Sequence, residues 1–439
     1  MWRAVPVVLS LLTIPLNAAD WPQWRGPNRD GVSAEADWSV NWPANGPKRL
    51  WTTPIGKGAS AVAVVGNCVY TQGRVLLPGI SGEQTTKEAA ICLDADSGKV
   101  LWSHTIQPVS GDYSPHSTPT VDSGKAYVYA TGGELLCLDA NTGQVLWEKR
   151  AGGIAPEPTP YGHAGSPLVV GNIVVVACNS KDGTLFGFDT STGAERWHSE
   201  RIHPTKVKAF WSSPMSGVID GKPCVVYHAA VAVLGVSPAD GTTIWRFDFK
   251  DPRFPTPEDA SIASTPIIWN GRVFASYRVC DDKAPGRSIC LEVSDGQAKI
   301  AWETADLRTA WHSCAAFDGF VYGMDESPTP IARKEGLRCY NLATGELKWS
   351  ARGVEAAPGE AGRKRWISAN PFTIAGRRMI SYVRGDLVVT ELSPSGPKAL
   401  AAVDIGERGE WTMPVLANGR LFLRSSEGNL MCLDVRESK

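Results

Sequence analysis

The stretch Cys92–Trp102 reads CLDADSGKVLW and Cys137–Trp147 reads CLDANTGQVLW, nearly the same eleven residues written twice, 45 positions apart. The register returns as GFDTSTGAERW ending at Trp197, GVSPADGTTIW ending at Trp245 and CYNLATGELKW ending at Trp349. A looser copy, CLEVSDGQAKIAW, reaches Trp302 with two residues inserted after Gly296. GPKRLW ends at Trp51, MCLDVRES begins the motif near the C-terminus and stops, and around Ser395 and Gly396 a copy survives without its Trp. Self-similarity at about 45 to 57 residues marks a repeat architecture, in which each unit buries its apolar face only against its neighbours.

Each unit also has an opening signal. STPTVDSGKAYVYA from Ser117, GSPLVVGNIVVVA from Gly165 and STPIIWNGRVFASY from Ser264 each set two apolar runs around a short turn. Turns such as Asn270-Gly271 and Asn418-Gly419 predict hairpins, because both central positions of that turn need positive φ. The later D-x-x-[ST]-G predicts a second hairpin, with Asp94, Asp139 and Asp189 accepting from the backbone two residues on and Gly98, Gly143 and Gly193 supplying positive φ. Every unit therefore holds four strands, A to D. Strand A openings fall near Ala61, Pro119, Pro167, Pro214, Pro266, Ala315, Pro371 and Pro414, which makes eight units. The last, from Trp411 to Lys439, holds three strands only, and Lys48–Pro54 is a spare strand at the other end. The expected fold is all-β: one eight-bladed β-propeller over 48–439, built of four-stranded antiparallel blades and closed by an N-terminal strand that completes the last blade.

Composition agrees with many short strands, since Gly (44) and Pro (31) are plentiful while the apolar fraction is an ordinary 43 %. A net charge of -1 with no basic cluster argues against nucleic acid or an anionic membrane surface as partner. Met1 to Arg3, the apolar run Ala4 to Leu16 and the small residues Asn17, Ala18 and Ala19 have the order of a secretory signal peptide, read as 1–19 with cleavage near Ala19. The mature chain is expected to be exported, periplasmic or extracellular, and monomeric, and no other apolar run approaches the ~20 residues needed to span a bilayer. Residues 20–47 are read as an extension packing on the ring.

These repeats resemble the docking motif A-x-D-x-x-T-G-x-x-x-W of quinoprotein-type, pyrroloquinoline quinone (PQQ)-like eight-bladed propellers; the copies ending at Trp102, Trp147 and Trp197 match it except at the first position. The resemblance implies that Trp51, Trp102, Trp147, Trp197, Trp245, Trp302 and Trp349 stack between neighbouring blades, where a large flat ring supplies contact area. Two residues before the Asp position stand Cys92, Cys137, Gly187, Gly235, Cys290, Cys339 and Cys432, where the family prefers Ala and Cys serves as a small buried hydrophobe. A disulfide is suggested only for Cys280 with Cys290. The opening Asp20–Ser33, DWPQWRGPNRDGVS, resembles the start of exported PQQ-like repeat proteins of planctomycete and verrucomicrobial bacteria, with Trp21, Trp24 and Arg25 folding back onto the ring.

The long connections are those from B to C and from D to A, which share one rim of the ring, and loops on a rigid scaffold are where binding usually sits. Residues just before each strand A should line the channel mouth on that rim. His116, His163, Trp211, Trp311, His312, Trp366 and Trp411, with Arg365 nearby, are therefore candidates for an aromatic and imidazole funnel around a planar or sugar-like ligand. The alternative is that bulky side chains simply fill the mouth. Glu258, Asp259, Asp281, Asp325 and Glu326 are either ligands for calcium or substrate or a solvated rim. No metal site is expected, since no H-x-x-x-H or C-x-x-C spacing occurs.

True quinoprotein dehydrogenases carry an adjacent Cys-Cys pair and a calcium set of Glu, Asn and Asp, neither of which is matched here, and a shared repeat does not transfer chemistry. The first reading is a non-catalytic binding or scaffold module without cofactor, engaging a protein or glycan partner through its long-loop face. A propeller lipoprotein that helps assemble outer-membrane β-barrels has that kind of role; its lipidated N-terminal Cys has no counterpart, because the first Cys here is Cys68. The second reading is a PQQ- and calcium-dependent oxidoreductase acting on alcohols or sugars.

Overall fold

The computed structural model describes residues 19–78, 84–106, 114–152, 162–178, 180–202, 211–229, 231–249, 260–279, 286–309, 311–326, 336–351, 353–355, 364–366, 371–383, 385–406 and 412–437. They contain strands and turns with no α-helix, and no helix is long and apolar enough to cross a membrane. Eight antiparallel sheets form the blades of a propeller. Their innermost strands A are Ala63–Val65, Thr120–Asp122, Leu168–Val170, Met215–Ile219, Ile267–Trp269, Ala315–Phe317, Phe372–Ala375 and Val415–Ala417, in blades 1 to 8. Blade 8 takes its outermost strand from the other end of the chain: Lys48–Pro54 pairs antiparallel with Asn429–Asp434, Trp51 opposite Cys432. The Arg424 guanidinium, from blade 8, strengthens this seam by donating to Ser60 O, Thr71 Oγ1 and Gly56 O of the first blade's segment. Burial lowers its pKa to about 9.

The repeated eleven residues form strand C, its turn and the start of strand D. In every copy the Cys or Gly lies directly across the sheet from the Trp, as in Cys92 with Trp102, Cys137 with Trp147 and Gly187 with Trp197. A register shift follows each of these pairs, so blades 1 to 3 hold the turn and the Trp in the same relation. The Trp ring lies on the turn glycine of the next blade, where a Cβ would meet it at 2.7 Å or closer: Trp51 on Gly98, Trp102 on Gly143, Trp147 on Gly193, Trp197 on Gly241 and Trp302 on Gly345. Each indole Nε1 then donates to a carbonyl of that turn, Trp51 to Ala95 O (3.0 Å), Trp102 to Ala140 O (2.9 Å) and Trp349 to Ser393 O (2.7 Å). Trp245 differs. It faces the two-residue turn Asp295–Gly296 of blade 5 and finds no carbonyl acceptor among the described residues.

The nine described cysteines are free thiols. Cys290 is among them, and Cys280, the partner suggested for it, lies outside the described residues.

The innermost strands join hands around the axis through hydroxyls. Ala61 N donates to Thr118 Oγ1, Thr118 N to Ser166 Oγ, Ser166 N to Ser213 Oγ and Thr265 N to Ser313 Oγ, each step passing to another blade. Backbone groups at the start of strand A have no sheet partner on the axis side, and these hydroxyls satisfy them.

Candidate functional site

Residues 20–35 fill the propeller axis. Trp21 exchanges two backbone hydrogen bonds with Val64 of blade 1, and Pro22 O accepts from Val121 of blade 2. Trp24 Nε1 donates to Thr265 Oγ1 beside blade 5, while Val32–Ser33 runs parallel to Ile374–Ala375 of blade 7. Ser33 Oγ donates to Leu416 O of blade 8. Contacts to the innermost strands of so many blades are available only on the axis. The segment enters at the rim of short A to B turns, where Asp20 Oδ1 accepts from Gly66 N, and its ascending and descending limbs meet at an exposed tip, Pro27–Asn28. The axis is thus occupied by the chain itself, entering from the short-turn rim.

Two buried arginines hold the tip, both at positive φ (63° for Arg25, 56° for Arg29). Arg25 donates to Asp30 O and Cys314 O, and Arg29 to Ser166 O, Pro167 O and Gln23 Oε1. Burial lowers their pKa values to about 10 and about 9, the second further depressed by its like-charged neighbour. Sequence reading places Trp21, Trp24 and Arg25 on the ring but misses Arg29 and the axial position. The available signal was the density of Gly, Pro, Asn and Asp around two arginines, a composition for sharp turns.

The predicted funnel residues separate into groups at the mouth. Trp211 and Trp311, preceding blades 4 and 6, stack on one another with centroids 5.3 Å apart and planes 24° apart. Trp211 is buried, while Trp311 remains 42 % exposed. Behind them the Glu326 carboxylate accepts from the backbone N–H groups of Trp311 and His312 at 3.3 Å. Asp325 is engaged elsewhere, buried between Arg308 and Arg338 at 2.9 and 3.0 Å. His116 lies half-buried near Arg424, its pKa lowered mainly by burial.

His163 is packed between blades 2 and 3, edge-on to Tyr129, with Nδ1 3.2 Å from Thr131 O and Nε2 3.5 Å from Cys178 Sγ. The Cys178–His163 contact has the makeup of a nucleophilic dyad but the opposite electrostatics. Burial pushes the thiol up to about 12 and the imidazole down to about 4, so both stay neutral. Arg365 and Trp366 belong to a two-stranded element, Gly353–Glu355 with Lys364–Trp366, whose side chains lie outside the described residues, as do Trp411, Glu258, Asp259 and Asp281.

Among the described residues no three His, Cys, Asp or Glu side chains gather as a metal site. The buried guanidiniums of Arg25 and Arg29 on the axis and of Arg424 at the blade seam are engaged by carbonyl oxygens. A calcium-held quinone needs oxygen ligands free to face the metal, and these cationic groups do not supply them.

Solved structures with this fold include BamB from Moraxella catarrhalis (TM-score 0.60, 16 % identity, 88 % of this chain and 99 % of that one). Others are a europium-containing methanol dehydrogenase (TM-score 0.62, 13 % identity, 94 % and 89 %) and the quinohemoprotein alcohol dehydrogenase of Comamonas testosteroni (TM-score 0.61, 12 % identity, 96 % and 81 %). At these identities the likeness is one of fold. No curated protein sequence matches the chain. A family model does match, over residues 86–351 and so over more than half of the molecule, and by it the chain belongs to the PQQ-type repeat family PQQ_2, described as outer membrane protein assembly factor BamB.

Proposed function

We propose that this protein is an exported, non-catalytic binding module that engages a protein or glycan partner at the long-loop face. The observation that carries this reading is the Trp211–Trp311 stack, built from residues that precede strands A of blades 4 and 6, with Trp311 42 % exposed. An exposed indole face backed by a second ring is a rigid platform that binds sugar rings or apolar side chains with little loss of conformational entropy. The hydroxyl ring and the two plug arginines make the platform's support stiff, as a recognition surface requires.

An oxidoreductase would need groups that orient a quinone and polarise its carbonyl. Melting curves of the full chain with and without PQQ plus calcium separate the two readings. A ligand at 100 times its Kd adds about 2.7 kcal/mol to the folded state. The binding-module reading expects no rise in midpoint with PQQ and calcium, together with a Trp311-dependent fluorescence change when soluble oligosaccharides or envelope proteins are titrated in. A clear rise with PQQ and calcium overturns it.

A further inference from the structure

Glu35 closes the axial segment at the short-turn rim, and its surroundings are unusual for an acid. The side chain is buried, and its carboxylate accepts from Asn418 N (2.7 Å) on Oε1 and Gly419 N (3.2 Å) on Oε2. A third donor shares Oε1: the backbone nitrogen of Ala19, at 2.7 Å. Among the described residues no Lys, Arg or His pairs with it, and its oxygens are met by three backbone N–H groups. A buried carboxylate without a cation carries an uncompensated desolvation cost.

The position of that nitrogen in the sequence is telling. Ala19 follows the apolar run and small residues at the N-terminus, with Ala18 immediately before it, while Asp20 is already bonded to Gly66 and Trp21 is already paired with blade 1.

We propose that cleavage falls one residue before the end of the 1–19 leader reading, so that Ala19 is the first residue of the mature protein, and that Glu35 is the receptor for its α-ammonium group. A signal-type peptidase that accepts small side chains would add water across the Ala18–Ala19 amide. The C–N bond breaks, Ala18 leaves as a carboxylate, and the Ala19 nitrogen takes up protons to become an ammonium. Processing thereby places a positive charge 2.7 Å from the Glu35 oxygen. In the unprocessed chain the same nitrogen is a neutral amide that offers one hydrogen bond and no charge. Leader removal and locking of the plug become one event, and the propeller axis is fully tied down only after export.

The test uses the full chain exported from a bacterial host. Intact mass and N-terminal sequencing should give a chain starting at Ala19; a start elsewhere overturns the proposal. Acylation of the α-amine at neutral pH should be about tenfold slower than in Glu35→Gln, since pairing with a carboxylate raises an amine's pKa and one unit cuts the free amine about tenfold. Equal rates overturn it. Should Glu35→Gln fail to fold, the wild-type rate is compared with that of the free peptide Ala-Asp-Trp, with the same tenfold expectation. A four-residue extension before Ala19 provides the second arm. The charge pair predicts that Glu35→Gln lowers Tm more in the chain starting at Ala19 than in the extended one, and an equal drop in both reduces Glu35 to a backbone cap.

Discussion

A Cβ placed on Gly193 would lie 2.7 Å from Cδ2 of the Trp147 ring, so the turn of blade 3 and the indole of blade 2 are fitted to each other with no atom to spare. Gly193 also sits at φ 68°. Gly193→Ala therefore suffers both a steric clash and backbone strain, and a loss of about 2–4 kcal/mol is expected. Gly221 has a similar φ of 71° but open space around it, so Gly221→Ala should lose only about 1 kcal/mol. Denaturant unfolding of the two variants checks the difference, which isolates the docking contact from the backbone term.

Arg29→Met keeps much of the volume of the plug but removes every donor to Ser166 O, Pro167 O and Gln23 Oε1. Leaving buried acceptors unsatisfied costs about 1–3 kcal/mol. A lower Tm is expected, with faster cleavage within 20–35 in limited proteolysis while the blades stay resistant.

Acid should weaken the ring through two histidines. Burial lowers His228 to about 3 and His163 to about 4, against about 6.5 in the unfolded chain. Between pH 6.5 and those values the unfolded chain binds more protons, so stability falls as pH falls through that window. Glu88 acts in the opposite sense. Burial raises it to about 7 from an unfolded value near 4.5, so its contribution falls as pH rises between those limits. Tm measured from pH 4 to 8 should show a shallower acid limb in His228→Phe and a smaller loss between pH 5 and 7 in Glu88→Gln.

Trp311 is 42 % exposed and stacks on Trp211. Trp311→Ala should lower stability by about 0.5–1.5 kcal/mol, the contribution of an aromatic pair beyond area. The near-UV circular dichroism of the stacked indoles should be lost, along with the fluorescence response to any ligand of the long-loop face. Retention of that response would move the binding surface elsewhere on the rim.

How much was legible in the chain follows from the range over which each interaction acts. The eight units and the four strands in each are local statements about turns and alternation, written out in repeats such as those ending at Trp102 and Trp147, and the pairing of Lys48–Pro54 with the last blade was legible from counting a spare strand against a blade one strand short. The pairing of a small residue with each Trp is equally local, since strand C and strand D are joined by one short turn. The axial course of residues 20–35 was not legible. Hydrogen bonds from Arg25 to Cys314 and from Arg29 to Ser166 span 289 and 137 positions, and nothing in the sequence near either end specifies the other. The Trp211–Trp311 stack has the same character, and so do His163 meeting Cys178 between blades and Glu35 meeting Ala19 and Asn418. Short-range turn chemistry determined the number and shape of the blades. Only closure of the ring, which brings the inner ends of distant blades around one axis, decided which side chains share the plug and the mouth.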